Sequence, residues 1–245
     1  MSSKILKLIK GFGVIEGLYF YAKLKFKRLG WFKSSTKKIQ FFLRNNTTDA
    51  RVFGQLFIHN QYDVPVNFEP KTILDLGANI GLSALYFAKR FPNANILAVE
   101  PDKDNFEVAL KNTKGYDKIK LVQKGVWNKN TFLEIIDPGA DKDAYMVKEI
   151  ANQTTTSIEA IDIETLLQQE GWVAIDILKI DIEGSEKELF SDNYEKWLPK
   201  TRLIFVEIHD HMRKGASKAV FSAISNYDFN FSMKEENLIF MKNAE

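Results

Sequence analysis

The segment Thr72-Ile-Leu-Asp-Leu-Gly-Ala-Asn-Ile-Gly81 limits the fold more than any other, because a short apolar run ends in a turn with two glycines and a helical pattern begins at once. Ile73, Leu74 and Leu76 suit a strand covered on both faces, while Leu82, Leu85, Tyr86 and Ala88 carry the spacing of a helix packing back onto it. Asp75 is the polar exception in that strand. Gly77 and Gly81 permit a sharp turn and a close backbone approach to a ligand, and the helix start beyond offers unpaired N–H groups to an anion. From Lys71 onward strand and helix patterns alternate, which predicts a layered α/β sheet with right-handed crossovers. Strands are expected at 72–76, 96–100, 119–123, 174–181, 202–209, 228–233 and 237–241, the last two as an antiparallel hairpin across Lys234-Glu-Glu236. Short extra strands at 132–136 and 155–158 would flank a loop at Pro138 and Gly139.

The spacing decides between ligands. A dinucleotide fingerprint has glycine at the first, third and sixth places of G-x-G-x-x-G, but Asn79 fills the third place and the second glycine comes at the fifth, which disfavours a nicotinamide enzyme. Acid-x-Gly-x-x-x-Gly after a first strand instead resembles S-adenosylmethionine methyltransferases. Glu100 closes the next apolar run, where a carboxylate can grip two ribose hydroxyls. Taken together, Asp75-Leu-Gly-Ala-Asn-Ile-Gly81, Val99-Glu-Pro101, Leu178-Lys-Ile-Asp-Ile-Glu-Gly-Ser-Glu186 and Val206-Glu-Ile-His209 resemble the FkbM family of methyltransferases. That resemblance covers about residues 44 to 240. It implies a Rossmann-like, seven-stranded class I methyltransferase sheet with helices on both faces, and S-adenosylmethionine-dependent O-methylation, often of sugar or natural-product hydroxyls.

Ligands in such sheets sit beyond the carboxyl ends of the strands, at the reversal of strand order. The expected cofactor-binding residues are accordingly Asp75, Gly77, Asn79 and Gly81 at the first loop, Glu100 at the ribose, and Trp127 stacking on adenine from the turn Gly125-Val-Trp-Asn128. An acceptor alcohol needs its proton removed as it attacks. Strand alternation puts Asp181 and Glu183 on one side of their strand and Glu207 and His209 on one side of theirs. His209, with a pKa near the working pH, is the expected general base; Asp181 is the rival, and Glu207 or Glu183 would orient the imidazole. Asp181, Glu183, His209, Asp210 and His211 include the oxygen and nitrogen ligands of a divalent cation, but their spacing matches no tight metal motif, and no metal is expected.

The chain of 245 residues can bury one substantial core, and its lack of cysteine excludes disulfides, thiolate metal sites and cysteine nucleophiles. Its charge is uneven. Residues 1–40 hold ten Lys or Arg against one acid, Glu16, while the whole chain is only +2, so the remainder is net acidic. The expected division is a basic, aromatic, helical segment at 1–43, a lead-in at 44–70 and a catalytic domain at 71–245. The first segment, through residue 38, can lie on a membrane surface as an amphipathic helix, or its aromatics can pack on the catalytic domain; its longest weakly charged piece is far short of the roughly 20 apolar residues of a span. Thr48 or Asp49 would cap a helix bearing Val52, Phe53, Leu56 and Phe57, and Arg44, Thr48, Asp49 and Tyr62 would form a lid over the cofactor cleft.

The expected partner is thus a glycan, lipid-linked sugar or other hydroxyl-bearing small molecule, with S-adenosylmethionine as methyl donor. A cytosolic donor places the protein in the cytoplasm, peripheral to the inner face of the membrane. Two rivals remain. A nucleic-acid methyltransferase would suit the basic segment, but the six prolines include no adjacent pair for an extruded-base motif. A non-catalytic, membrane-associated S-adenosylmethionine-binding protein would not need the polar cluster around Asp181 and His209.

Overall fold

The computed structural model describes residues 3–135 and 147–243, so the loop at Pro138 and Gly139 lies outside the described residues. In chain order, α1 (Ser3–Phe12) and α2 (Val14–Lys25) precede β1 (Gly30–Ser34), β2 (Ile39–Leu43) and α3 (Asp49–Phe57). The alternating body begins with β3 (Thr72–Leu76), α4 (Leu82–Arg90), β4 (Asn95–Val99), α5 (Lys103–Thr113) and β5 (Ile119–Val122). Short strands β6 (Gly125–Val126), β7 (Thr131–Ile135), β8 (Val147–Ile150) and β9 (Ile158–Ile161) form a separate sheet. The chain ends with α6 (Ile163–Glu170), β10 (Ile175–Ile180), α7 (Glu186–Leu189), β11 (Thr201–Val206), α8 (Ala216–Ile224), β12 (Phe229–Lys234) and β13 (Asn237–Lys242).

The central sheet has seven strands in the order β12-β13-β11-β10-β3-β4-β5. It is parallel from β11 to β5 and antiparallel at the β12–β13 hairpin and its junction with β11. Alternation along each strand feeds two cores. Ile73, Ile177, Leu203 and Phe205 face one, and Leu74, Leu76, Leu178, Ile180, Ile204 and Val206 face the other. Strand order reverses at β3, which pairs with β4 on one side and β10 on the other. The crevice beyond the ends of β3 and β10 follows from that reversal.

The expected strand at 202–209 stops at Val206, and that at 174–181 stops at Ile180. Asp181, Glu183, Glu207 and His209 therefore sit in loops, and strand alternation does not orient them. Glu183 even has a left-handed backbone, φ 52°. The ladder does continue for one residue past each strand end, through Asp181 N–H to Leu76 O and Glu207 N–H to Ile180 O. The strand expected at 155–158 forms later, at Ile158–Ile161, and β1, β6 and β8 were not anticipated.

The amino-terminal segment packs inward. Leu8, Phe12, Phe20, Phe32, Phe41 and Leu43 share one cluster with Phe53, Ile73 and Phe205, so a single core crosses the divisions expected after residues 43 and 70. Phe41 stacks on both Phe32 and Phe53, at 5.3 Å between ring centroids in each case. A Cβ on Gly17 would meet Ile9 Cα at 2.7 Å, so glycine lets α1 and α2 close on each other. A helix pair this short cannot bury its aromatic face alone, and the sheet supplies the missing surface.

Candidate active site

The crevice is lined on one side by Gly77, Asn79, Glu100, Pro101, Asp102 and Asn105, on another by Val126, Leu133, Val147 and Ile158, and at one end by Asp181, Ile182, Glu183 and Ser185. Three of the six expected cofactor residues line it, namely Gly77, Asn79 and Glu100.

Glu100 organises the first wall. One of its carboxylate oxygens accepts the Asn79 amide N–H at 2.7 Å, and the other accepts the Asp102 amide N–H at 3.0 Å and Asn105 Nδ2 at 3.4 Å. Burial raises its pKa to about 7, and the hydrogen bonds from Asp102, Asn79 and Asn105 partly offset that rise. Asn79 has φ 50°, a conformation asparagine tolerates, and its buried Oδ1 has no hydrogen-bond partner among the described residues. An acceptor left unpaired at the wall of a crevice fits a bound donor such as an ammonium group. An unpaired acceptor, a buried carboxylate and the apolar side chains of Val126, Leu133 and Ile158 form a lining that fits S-adenosylmethionine, which carries an ammonium group, ribose hydroxyls and an adenine ring.

The other three expected cofactor residues are placed elsewhere. Asp75 is fully buried, accepting Ser83 Oγ at 2.5 Å and facing Lys179 Nζ at 3.3 Å. Neighbouring parallel strands put Lys179 directly opposite Asp75, and the ammonium also reaches Gly77 O at 2.5 Å and Asp181 at 3.6 Å. Burial works against the charge on Lys179, but Asp75 and Asp181 outweigh it and hold the pKa above the ordinary lysine value. Asp75 thus braces the loop from beneath. Gly81 begins α4, where a Cβ would press on Ala109 at 3.1 Å, so it serves helix packing. Trp127 is buried behind the apolar wall, in a small core with Leu133 and Ala160, and does not itself line the crevice. Gly77 lines the crevice, yet its glycine requirement comes from the protein: a Cβ there would lie 1.7 Å from Asp181 O.

None of residues 44–70 lines the crevice among the described residues. Arg44 pairs with the fully buried Asp49 at 2.8 Å and donates to Asn105 Oδ1 at 2.7 Å, supporting the Glu100 wall from behind. Tyr62 is core, packed against Phe87 and Phe205. Thr48 occupies the cap position of α3 without a side-chain bond. The expected lid is a buttress.

Opposite the Glu100 wall, four carboxylates surround one imidazole. His209 Nδ1 lies 2.9 Å from Glu186 Oε1, and Nε2 lies 3.6 Å from Glu183, 3.6 Å from Glu207 and 3.8 Å from Asp181. Burial lowers the His209 pKa, but the hydrogen bond to Glu186 together with Glu207 and Asp181 pushes it up to about 11. At that pKa the ring is charged at neutral pH, and the role of base expected for it would first require it to lose its own proton. Glu183 is raised to about 8, chiefly by burial and then by the Asp181 charge, and burial raises Glu207 as well. His211 stands beside His209 at 5.8 Å between rings, and Asp210 turns away to accept the Gly215 and Ser217 amides.

Sequence reasoning gave no role to Glu186, which is fully buried and accepts both the His209 ring nitrogen and the Ile182 amide. The signal available was its place at the start of a helix, three residues after Glu183. The parts played by Ser83 and Asn105 left no mark in the sequence.

A seven-stranded sheet in this order, with an acidic glycine loop at its reversal and a carboxylate closing the next strand, is that of a class I, S-adenosylmethionine-dependent methyltransferase. Residues 75–231 match the family model described as "Methyltransferase FkbM domain", and the chain belongs to that family. It is 26% identical over 189 residues to methyltransferase sdnD of Sordaria araneosa, covering 64% of this chain and 73% of that protein. It is 23% identical over 173 residues to the 2-O-methyltransferase NoeI of Sinorhizobium fredii, covering 64% of this chain and 71% of that protein. The crystal structure of methyltransferase FkbM from Methylobacillus flagellatus aligns with a TM-score of 0.46 and 16% identity over 72% of this chain, which spans 44% of that one.

Proposed function

We propose that this methyltransferase acts on a hydroxyl of a glycan or lipid-linked sugar, with Glu183 as the proton acceptor. The observation that carries the reading is the polar end of the crevice, where Asp181 and Glu183 line the space across from Asn79 and Glu100. When bound, S-adenosylmethionine supplies an electrophilic methyl group. The protein's part is to hold the acceptor oxygen in line and to take its proton. Glu183 stands 3.6 Å from His209 in a left-handed conformation, and with its pKa raised to about 8 it takes a proton in its ionised form, so turnover should rise with pH through about 8. The relative named a 2-O-methyltransferase supports a hydroxyl acceptor. Nucleic acid has no part in this reading.

The test is a mass-spectrometric screen of sugar and glycolipid acceptors with wild type and Glu183→Gln. The variant should bind S-adenosylhomocysteine normally while kcat falls about 10²- to 10⁴-fold, the usual contribution of a positioned base. Unchanged turnover by Glu183→Gln would remove it as the base, and methylation of RNA with no sugar product would overturn the acceptor class.

The amino-terminal helices favour work at a membrane surface. No described helix is long and apolar enough to cross a membrane, but Ile15 is 85% exposed, with Val14, Leu18, Tyr19 and Phe26 exposed nearby. Lys4, Lys7, Lys10, Lys25 and Lys27 are exposed on the same segment, and its one acid, Glu16, is turned onto Ser34 and Ser35. Apolar contact and anionic headgroups then act together. Full-length protein should co-sediment with phosphatidylglycerol vesicles and lose this with Ile15→Asp and Phe26→Asp, surface changes that leave the core intact. Equal sedimentation of wild type and variants would refute membrane contact through this face.

A further inference from the structure

We propose that Asp181, Glu207 and His209 form a binding site for a divalent cation of the Mn2+ kind at the acceptor end of the crevice. One donor atom from each lies within 4.8 Å of the others. Two metal–ligand bonds of about 2.1 Å place donors at most about 4.2 Å apart, so only a small closure is needed. His209 supplies the observation that separates this set from an ordinary acidic surface. It is 6% exposed, and Glu186 fixes the ring through Nδ1, the arrangement by which a carboxylate orients a metal-binding imidazole.

The opposite nitrogen, Nε2, is aimed among Asp181, Glu183 and Glu207, all at 3.6–3.8 Å and so beyond hydrogen-bond reach. At these separations Nε2 and the carboxylate oxygens of Asp181 and Glu207 can close on one shared cation. Charge points the same way. Among the described residues, Asp75, Asp181, Glu183, Glu186 and Glu207 face only Lys179 and His209 as cations. A divalent ion would replace the Nε2 proton, which leaves to solvent. Two carboxylates with one imidazole suit Mn2+ better than a soft or purely oxygen-seeking ion.

The role of the ion rests on the methyl-transfer reading. Bound between the two strand ends, it would polarise an acceptor hydroxyl whose proton Glu183 then takes, with no change in oxidation state.

The experiment is Mn2+ titration of chelator-treated full-length protein, read by loss of the free-ion electron paramagnetic resonance signal, with S-adenosylhomocysteine calorimetry on the same samples. One site of micromolar Kd is expected. Asp181→Asn and Glu207→Gln should each weaken it at least tenfold, and Glu186→Gln tenfold to a hundredfold. Glu188→Gln, which loses only its pairing with Arg213, should bind as wild type does. No Mn2+ bound at millimolar concentration, or equal affinity in Asp181→Asn, would overturn the site. Product binding without Mn2+ binding would reject the ion and leave methyl transfer standing; Mn2+ binding without product binding would uphold the ion and reject methyl transfer.

Discussion

Replacing Lys179 by methionine tests how the cofactor loop is held. Lys179 is 2% exposed, and Asp75 opposite it is fully buried. Methionine keeps the length and apolar stem of the side chain but leaves the Asp75 carboxylate with only the Ser83 hydroxyl. Removing one partner of a buried ion pair costs about 3–5 kcal/mol, because the other charge stays buried without compensation. The ammonium's bonds to Leu76 O and Gly77 O are lost as well, each about 1 kcal/mol net, though Leu76 O keeps its bond from the Asp181 amide. Together these come to about 5–7 kcal/mol, and at about 2–4 °C per kcal/mol for a chain of this size the melting temperature should fall by roughly 10–28 °C. Urea unfolding followed by circular dichroism measures the stability directly. Adding Asp75→Asn should recover about 2 kcal/mol or more, because it removes the stranded charge. The same pair of variants should weaken S-adenosylhomocysteine binding, since Gly77 and Asn79 depend on the brace. A Lys179→Met protein within about 1 kcal/mol of wild type would refute the reasoning. So would a double variant that is no more stable than Lys179→Met.

Further changes probe the rest of the site. Glu100 has its pKa raised to about 7, so its protonated form contributes stability that is fully present below the unfolded value of ~4.5 and is lost as pH rises through about 7. The ionised form is the better acceptor of ribose hydroxyls, so calorimetric affinity for S-adenosylhomocysteine should rise up to about tenfold between pH 6 and pH 8. Glu100→Gln should bind weakly at both, and a flat wild-type profile would contradict this. Gly77→Ala forces a left-handed alanine against Asp181 O, and should cost roughly 2–5 kcal/mol in urea unfolding. Trp127→Ala should destabilise by about 3–5 kcal/mol while product affinity changes little. A tenfold affinity loss at unchanged stability would instead place the indole on adenine.

Local order fixed much of the fold and little of the cluster's chemistry. The strand at 72–76, the turn with two glycines, the alternation after Lys71 and the closing hairpin are each marked by residues close together in the chain, which periodicity and turn chemistry report. The resemblance built on them implied the seven-stranded sheet, and the rule for its strand ends pointed to the crevice that Gly77, Asn79 and Glu100 line. Partners brought from far along the chain decided the rest. Asp75 reads as a ligand contact in sequence, and only Lys179 on the neighbouring strand turns it into a brace. His209 reads as a base at its ordinary pKa, and only the approach of Glu186, Glu207 and Asp181 raises that pKa. The aromatics of the first 43 residues suit a membrane or a core equally, and the open face of the sheet settled that Phe12, Phe20 and Phe32 go inside. A pKa and a burial both depend on which groups surround a side chain in space, and residues 104 positions apart leave no periodic trace of meeting.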